Sequence, residues 1–278
     1  MAHTVGSLLT MAVPRLGATG SARLDAELLL AHSLSCRRTA LYTDKGRVVA
    51  DEVARRFAGL VTARAHGCPI AYLTGCTEFW SLALEIERSV LVPRPETELV
   101  VEVGLRCQLA SANPTVADLG TGSGAIACAF AHERPHAIVV AVDSSAAARD
   151  IAHRNATRLR LGGVRVVGAD WLEPFDAAAF DLILANPPYI GTDERPDLAP
   201  GLAFEPASAL FSGADGLADL RQIVTSARRV LRPGGHLVLE HGHAQGPAVR
   251  ALCAQHGYKD CTTTRDLAGH ERVTQAAR

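Results

Sequence analysis

The chain has few of the features that would place it in a membrane or in an oxidising compartment. Its seven cysteines form no Cys-x-x-Cys pair, and an odd, unpatterned set is typical of reduced thiols in the cytosol. No run approaches the ~20 apolar residues of a membrane span. No basic residue precedes Arg15, so a secretory signal is not predicted. We therefore expect a soluble, cytoplasmic protein.

Net charge and aromatic content are also low. With a formal charge of −1 and 5% aromatic residues, the chain lacks both a basic insert and a stacking platform for nucleic acid. Charge is unevenly distributed along the chain. Residues 1–70 contain nine Lys or Arg and five Asp or Glu, whereas the remaining residues contain 19 Lys or Arg and 24 Asp or Glu. The basic excess fits a solvated helical surface, and it also fits a patch for a partner.

Periodicity divides the 278 residues into a helical part and an α/β part. Residues 1–70 lack strand patterns and predict a small helical bundle. Residues 77–92 alternate as a β-hairpin and lead to a helix over 97–109. From residue 116 onwards, strands and helices alternate, which is typical of a parallel sheet wrapped by helices. The predicted strands are 116–119, 137–142, 164–167, 180–185 and 236–241, with two edge strands near 258–264 and 270–275, one of them antiparallel.

Apolar stripes predict the helices of the first part. One helix should end before Pro14, and a second should be capped by Ser21. The three predicted stripes are Leu8, Leu9 and Val13; Leu24, Leu28 and Ala31; and Val49, Val53, Phe57 and Leu60.

A glycine-rich turn follows the first predicted strand of the α/β part. The run Gly120-Thr121-Gly122-Ser123-Gly124 connects strand 116–119 to an apolar helix, so that a ligand can approach the backbone closely. The spacing is not that of a dinucleotide-binding turn. Asp118 lies two residues before the first glycine, where an acid suits the sulfonium and amino group of S-adenosylmethionine. Asp143 ends the second strand and can accept from ribose hydroxyls.

The segment Asn186-Pro187-Pro188-Tyr189 follows the apolar run 180–185, where a buried strand should end. The Asn186 side-chain carbonyl and the Pro187 backbone carbonyl offer two acceptors, and Tyr189 offers a flat face. Such a set suits a planar amide or an exocyclic amine. The nitrogen of these groups is a poor nucleophile, so it needs orientation and a very electrophilic partner.

These motifs resemble the HemK/PrmC family of protein-(glutamine-N5) methyltransferases, from about Pro69 to Val273. Asn-Pro-Pro-Tyr is shared with DNA and RNA amino-methyltransferases, whereas the block 92–98 is much more specific. Cys68 stands where the family commonly has a polar residue, and we expect this departure to be tolerated. The other matching blocks are 69–75, 78–80, 118–127, 186–190, 204–206, 239–242 and 265–273.

The resemblance implies a class I methyltransferase-like Rossmann fold. Its sheet should be mostly parallel with seven strands, and a small N-terminal helical bundle should be joined to it by a β-hairpin. The implied domains are a substrate-recognition domain over 1–75, a hairpin linker over 76–95 and a methyltransferase domain over 96–278.

The resemblance also implies a reaction. A methyl group would pass from S-adenosylmethionine, leaving S-adenosylhomocysteine, to the side-chain amide of the glutamine in the Gly-Gly-Gln motif of class I peptide chain release factors. The expected partner is therefore a release factor, with no stable nucleic acid, no membrane, and a monomeric enzyme. Alternatives are a ribosomal-protein glutamine methyltransferase, an adenine or guanine amino-methyltransferase, and an idle cofactor-binding module.

Site residues are carried over from the matching motifs, with no metal site and no catalytic base. The expected cofactor-binding residues are Asp118, Gly120, Thr121, Gly122, Ser123, Gly124, Asp143, Asp170, Trp171 and Asn186. The expected substrate-binding residues are Arg94, Glu96, Thr97, Glu98, Asn186, Pro187, Pro188 and Tyr189, of which the last four are also the expected catalytic residues.

Several of these residues also have an ordinary structural interpretation. Glu96 and Glu98 suit a helix N-terminus as well as a substrate pocket. Trp171 suits the core as well as an adenine ring. The pair Phe79-Trp80 fits a hairpin core slightly better than a substrate contact. No further ligands accompany His241 and His243, so metal binding is not expected there.

Overall fold

A computed structural model of the chain describes residues 3–17, 21–197 and 200–278. These residues form two compact units. The first contains the described residues up to Cys76 together with residues 200–204, and the second contains residues 77–197 and 205–278.

The first unit is helical, as predicted. A capping box between Thr4 and Ser7 starts its first helix. Leu29 and Leu30 of the second helix are fully buried in its core, together with Phe57 of the fourth. Val49 is buried and Val53 and Leu60 pack against the same cluster, which confirms the third predicted stripe. The helices are α1 Val5–Arg15, α2 Ala22–Ser33, α3 Ala40–Thr43, α4 Asp51–Ala65 and α5 Ile70–Thr74.

The predicted face of α2 is confirmed at Ala31, which is buried in the core cluster, but it is wrong at Leu24. Leu24 is 43% exposed, whereas Asp25 and Glu27 are buried. These two acids can lie inside because they are paired. Asp25 Oδ2 lies 2.8 Å from Arg64 Nε, and Glu27 binds two arginines and the Tyr42 hydroxyl. Because apolar periodicity takes no account of ion pairs, it does not predict a buried helix face that contains paired charged side chains.

Both predicted boundaries near α1 and α2 also differ. Helix α1 continues through Pro14 to Arg15, since a proline in the last turn interrupts little hydrogen bonding. Ser21 occupies the N-cap position of α2 but makes no capping bond, because its hydroxyl donates to Asp25 Oδ2 at 3.2 Å.

A two-stranded hairpin of β1 (Cys76–Phe79) and β2 (Leu82–Glu85) follows. Its Phe79 is 2% exposed, in agreement with the predicted hairpin core. The backbone N–H of Glu85 donates to the buried Asn155 Oδ1 at 2.7 Å. Asn155 Nδ2 donates in turn to the carbonyls of Glu85 and Ser123, at 3.0 and 2.8 Å. One amide thus ties the hairpin to the glycine-rich turn.

The second unit is built on a seven-stranded sheet with the order β5-β4-β3-β6-β7-β9-β8. Only β9 runs antiparallel to its neighbours β7 and β8, so the mostly parallel fold is confirmed. The strands are β3 Thr115–Leu119, β4 Ile138–Asp143, β5 Val164–Gly168, β6 Phe180–Ala185, β7 Leu231–Glu240, β8 Lys259–Arg265 and β9 Glu271–Ala277. The helices are α6 Glu98–Arg106, α7 Ala125–Glu133, α8 Ala146–Arg158, α9 Ala218–Val230 and α10 Gly246–Gln255.

Strand β7 and helix α6 differ from the predicted bounds. β7 begins at Leu231, five residues before the predicted start, and pairs with Phe180 before a register shift. The intervening Pro-Gly-Gly reads as a turn in the sequence, and here it forms the irregular part of the strand. Helix α6 is shorter than predicted at both ends, and the 3₁₀ turn Pro95–Thr97 precedes it.

Parallel pairing places the functional side chains. Strands β3, β4, β5, β6 and β7 run in the same direction, so their carboxyl ends lie along one edge of the sheet. That edge therefore contains the glycine-rich turn, the acid that ends β4 and the Asn-Pro-Pro-Tyr segment after β6, where open α/β sheets bind ligands. In the described part of the chain, no helix combines the length and the apolar character that crossing a membrane requires.

Candidate active site

The glycine-rich turn between β3 and α7 needs its glycines. Gly120, Gly122 and Gly124 have φ values of 65°, 54° and 80°, in the left-handed region that other residues rarely adopt. A Cβ on Gly124 would also lie 3.2 Å from Ala152 of the neighbouring helix. Thr121 N donates to the Val142 carbonyl at 2.9 Å and anchors the turn to β4. The turn is therefore a fixed backbone cradle at the strand ends.

Asp118 holds this turn from beneath. It is fully buried, and its Oδ2 accepts from Thr121 Oγ1 at 2.5 Å and from the Ala127 N–H at 3.1 Å. Its Oδ1 is buried without a hydrogen-bond partner. Burial raises the pKa of Asp118 from 3.8 to about 7. Asp118 does not line the cavity at this edge of the sheet, so its predicted contact with a cofactor stays a prediction.

Asp118 should make the stability of the protein depend on pH. A carboxyl with a raised pKa keeps its proton in the folded state at pH values where the unfolded chain has lost it. Stability from this group is therefore lost as pH rises from about 4 to about 7, at up to about 1.4 kcal/mol per pH unit. We expect Asp118→Asn to show a shallower decline than the wild type when free energies of unfolding are measured in urea from pH 4 to 8, because buried Glu240, whose pKa is also raised, still contributes.

The exposed Asp150 of α8 provides the control, because Asp150→Asn should retain the wild-type profile. Profiles of equal slope for the wild type and Asp118→Asn would contradict the assignment.

Asp143 ends β4 and faces the same turn. Its Oδ2 accepts from the Gly122 N–H and its Oδ1 from the Ser145 N–H, both at 2.9 Å. The carboxylate is half-buried and stays accessible to a ligand on one side. This is the position predicted for an acceptor of ribose hydroxyls.

A cavity of about 280 Å³ brings the two predicted motifs together. Gly120, Gly122 and Asp143 line it from the glycine-rich turn, and Asn186 and Pro188 line it from the segment after β6. A ligand bound at the turn would therefore face the asparagine within one space. Asp170 and Trp171 complete the predicted part of its wall.

The cavity also has walls that sequence reasoning missed. Three loop residues after the hairpin contribute, and Ser89 Oγ among them is buried without a partner. The only signal for them was their position just before the specific block 92–98. The unpredicted lining residues are Ser89, Val90, Leu91, Val142, Ser144, Ser145, Ala148, Ala169, Pro206, Ser208, Ala209 and Asp219.

Trp171 both packs in the core and lines the cavity, so it fits each of the two roles predicted from the sequence. Its ring packs against the core cluster under the sheet, and it also lines the cavity. A Cβ on Gly120 would lie 3.3 Å from the ring, so the glycine allows the indole to lie against the turn. The indole therefore offers a flat apolar face to a ligand in the cavity.

Asn186 follows β6 and presents its side chain to the cavity. Its Nδ2 donates to Thr97 Oγ1 at 3.0 Å, which directs the donor end of the amide away from a ligand. Pro187 is buried and does not line the cavity, while Pro188 does. The segment thus offers the asparagine oxygen to the cavity, as its expected role requires.

Tyr189 packs against the core cluster and does not line the cavity. Its hydroxyl donates to Glu240 Oε1 at 3.3 Å, and burial raises the pKa of this phenol. Glu240 is 1% exposed, and burial raises its pKa to about 7. The hydroxyls of Thr97 and Tyr189 and the charge of Arg272 lower this pKa, but by less than burial raises it. Sequence reasoning did not include Glu240 in the site, although an acid that ends an apolar strand was a usable signal.

The block 92–98 lies beside the site rather than in the cavity wall. Arg94 pairs with the buried Glu205, and Glu98 Oε1 accepts from the Trp80 N–H at 2.8 Å. Glu96 is exposed, and Thr97 is buried. None of the predicted residues Arg94, Glu96, Thr97 and Glu98 lines the cavity, so direct substrate contact by them stays a prediction.

His241 is not arranged as a metal ligand. Its Nδ1 donates to the Gly242 carbonyl and its Nε2 accepts from Thr274 Oγ1, both at 2.9 Å. Burial lowers the pKa of this ring and favours the neutral form. Within residues 3–17, 21–197 and 200–278, no group of three or more His, Cys, Asp or Glu side chains could hold a metal ion.

Comparison with known proteins gives two family matches. The family described as the PrmC N-terminal domain matches residues 7–75, and the methyltransferase small domain matches residues 102–214. A Xylella fastidiosa protein named release factor glutamine methyltransferase is 47% identical over 269 residues, which cover 96% of both chains. The Escherichia coli protein of that name is 41% identical over 267 residues, again 96% of both chains.

Solved structures with low sequence identity share the fold. A methyltransferase from Pyrococcus furiosus is 20% identical with a TM-score of 0.53, covering 70% of this chain and 88% of its own. The hMettl16 catalytic domain in complex with MAT2A 3′UTR hairpin 6 is 14% identical with a TM-score of 0.57, covering 83% of this chain and 84% of its own. At these identities the likeness is one of fold alone.

Proposed function

Because the chain belongs to the release factor glutamine methyltransferase family, we propose that it methylates the glutamine of the Gly-Gly-Gln motif in class I peptide chain release factors. The methyl donor is S-adenosylmethionine, and S-adenosylhomocysteine is the product. The observation that carries the proposal is the single cavity lined by both the glycine-rich turn and Asn186.

The cavity fits the methyl donor. Because Gly120 and Gly122 have no side chains, the donor can approach the backbone of the turn closely. Asp143 presents a carboxylate that suits ribose hydroxyls. The ring of Trp171 suits a flat base, whereas Asp118 is fully buried and does not line the cavity, so its contact with the donor stays a prediction. We therefore assign the donor to this side of the cavity.

The protein contributes position and electrostatics to methyl transfer. Bound S-adenosylmethionine supplies a methyl group activated by its sulfonium. Asn186 Oδ1, on the cavity wall, would accept one hydrogen of the glutamine amide and aim its nitrogen at the methyl group. The Pro187 carbonyl stays the predicted second acceptor, although this residue is buried and does not line the cavity. As this nitrogen gains positive charge, the two acceptors stabilise it. No catalytic base is assigned, because the ammonium-like product proton is acidic enough to leave afterwards.

Tyr189 and Trp171 take different parts in this proposal. Trp171 lines the donor side, whereas Tyr189 fixes the Asn-Pro-Pro-Tyr segment through Glu240. The contribution proposed for Thr121, Ser123 and Gly124 is to shape the donor cradle, since they are buried behind it.

Partner, compartment and domain roles are part of the same proposal. The division into a recognition domain over 1–75, a linker over 76–95 and a catalytic domain over 96–278 is supported by the match of the PrmC N-terminal domain to residues 7–75. We place the enzyme in the cytoplasm as a monomer that forms no stable complex with nucleic acid or membrane. No disulfide joins any of the seven cysteines, all of which lie among the described residues, in keeping with a reducing compartment.

A labelling experiment tests the function. The purified protein and S-adenosylmethionine with a radiolabelled methyl group are incubated with a class I release factor, with ribosomal proteins and with RNA. We expect label in the release factor, and none in a variant whose Gly-Gly-Gln glutamine is replaced by alanine. Label in ribosomal protein or RNA alone would overturn the proposal in favour of those substrates, and donor binding without any labelled acceptor would favour an idle module.

A further inference from the structure

The side-chain amide of Asn186 can present either of two ends to the cavity. Its oxygen accepts hydrogen bonds and its nitrogen donates them. The amide nitrogen of a substrate glutamine carries two hydrogens, so only the oxygen of Asn186 can receive it. A half-turn of the side-chain amide would place N–H groups against those hydrogens. Methylation therefore requires a group that fixes which end of the amide faces the cavity.

Thr97 is the neighbour that contacts the nitrogen. Its Oγ1 lies 3.0 Å from Asn186 Nδ2. The residue ends the 3₁₀ turn Pro95–Thr97, is 3% exposed and lies outside the cavity wall. In this hydrogen bond Asn186 Nδ2 donates and the Thr97 hydroxyl accepts, which leaves Asn186 Oδ1 for the cavity.

Glu240 holds the other end of the Asn-Pro-Pro-Tyr segment. It is 1% exposed at the end of β7, and its Oε1 accepts from the Tyr189 hydroxyl at 3.3 Å. The segment is therefore fixed at Asn186 by Thr97 and at Tyr189 by Glu240. With the segment fixed, the hydrogen bond from Nδ2 to Thr97 decides which end of the Asn186 amide faces the cavity.

We propose that Thr97 is a positioning residue for methyl transfer, whose hydroxyl accepts from Asn186 Nδ2 and thereby turns the oxygen of Asn186 towards the substrate amide. This inference rests on the proposed function and deepens it. It differs from the role predicted from the sequence, in which Thr97 contacts the substrate directly.

Replacement of Thr97 by valine removes the hydroxyl and retains the shape of the side chain. We expect Thr97→Val to lower kcat for a release factor by about 10- to 100-fold, the scale of a misplaced reacting group. The affinity for S-adenosylmethionine should not change. Thr97→Ser keeps the hydroxyl and should retain most of the wild-type kcat. Rates are measured with radiolabelled donor, and folding is checked by thermal unfolding.

A double-mutant cycle distinguishes positioning from a general structural role. If Thr97 acts through Asn186, then Thr97→Val should cause no further loss in the Asn186→Ala background. Equal losses in both backgrounds, or a wild-type kcat for Thr97→Val, would overturn the inference. Should the valine variant not fold, Thr97→Ala gives the same comparison. A wild-type protein that labels no release factor would instead refute the proposed function, so the two failures are separable.

Discussion

Asn186→Ala is expected to lower kcat for release factor methylation by about 10²–10³-fold, the loss seen when one positioned hydrogen-bonding group is removed from a transition state. The side chain lines the cavity opposite the glycine-rich turn, and its nitrogen is already bound to Thr97. Its oxygen is thus the group left to orient the glutamine amide. Removal leaves the incoming nitrogen without one of its two acceptors.

Single-turnover rates with a release factor and saturating S-adenosylmethionine measure this loss. Asn113→Ala is the matched control, because Asn113 is an exposed asparagine ahead of β3 and away from the cavity lining. The affinity for the donor should fall much less than kcat. An Asn186→Ala enzyme with the control's kcat would remove the basis for assigning this segment to the reacting amide.

Gly216→Ala is expected to lower the free energy of unfolding by about 2–5 kcal/mol. Gly216 has φ +72°, and a Cβ there would lie 2.2 Å from the Tyr189 carbonyl oxygen. It would also lie 2.8 Å from Gln245 Nε2, which donates to that same carbonyl at 3.0 Å. The added methyl group therefore clashes with backbone and separates a hydrogen-bonded pair.

Gly234→Ala isolates the clash from the cost of the backbone conformation. Gly234 has a similar φ of +76°, but no atom lies within 4 Å of a Cβ placed there. The free energy of unfolding of Gly234→Ala should fall by only about 1–2 kcal/mol, the cost expected for a non-glycine residue in the left-handed conformation. Denaturant unfolding measures both variants. Equal destabilisation of the two would show that the space around Gly216 does not constrain the Asn-Pro-Pro-Tyr segment.

Gly216→Ala should also reduce methylation more than Gly234→Ala does at a temperature where both are folded. The displaced Tyr189 carbonyl belongs to the segment that presents Asn186, and small displacements of a reacting group are costly. A folded Gly216→Ala enzyme with full activity would mean that the segment tolerates movement.

Much of the sheet and one side of the site followed from the sequence because they depend on local patterns. Strands β3, β4, β5 and β6 are apolar runs, and their predicted bounds agree with the structure to within one residue. Parallel strands bring their carboxyl ends to one edge, which is why motifs 62 residues apart, at Gly124 and Asn186, could be expected to meet. The structure places both motifs at that edge.

The failures concern interactions between residues distant in sequence. The buried face of α2 depends on Asp25 meeting Arg64, which no helical periodicity reveals. The contact of Glu240 with Tyr189 joins β7 to the loop after β6. Loop residues such as Ser89 have no periodicity, so their position in the cavity wall could not be predicted.

The chain has only two tryptophans, and they lie in very different surroundings. Trp80 Nε1 donates to Glu133 at 2.8 Å on the hairpin, whereas the ring of Trp171 borders the cavity. A chain in which Trp80 is replaced by phenylalanine would retain a single indole chromophore at the proposed donor site. Its emission spectrum would then report occupancy in real time, without any dye and independently of turnover.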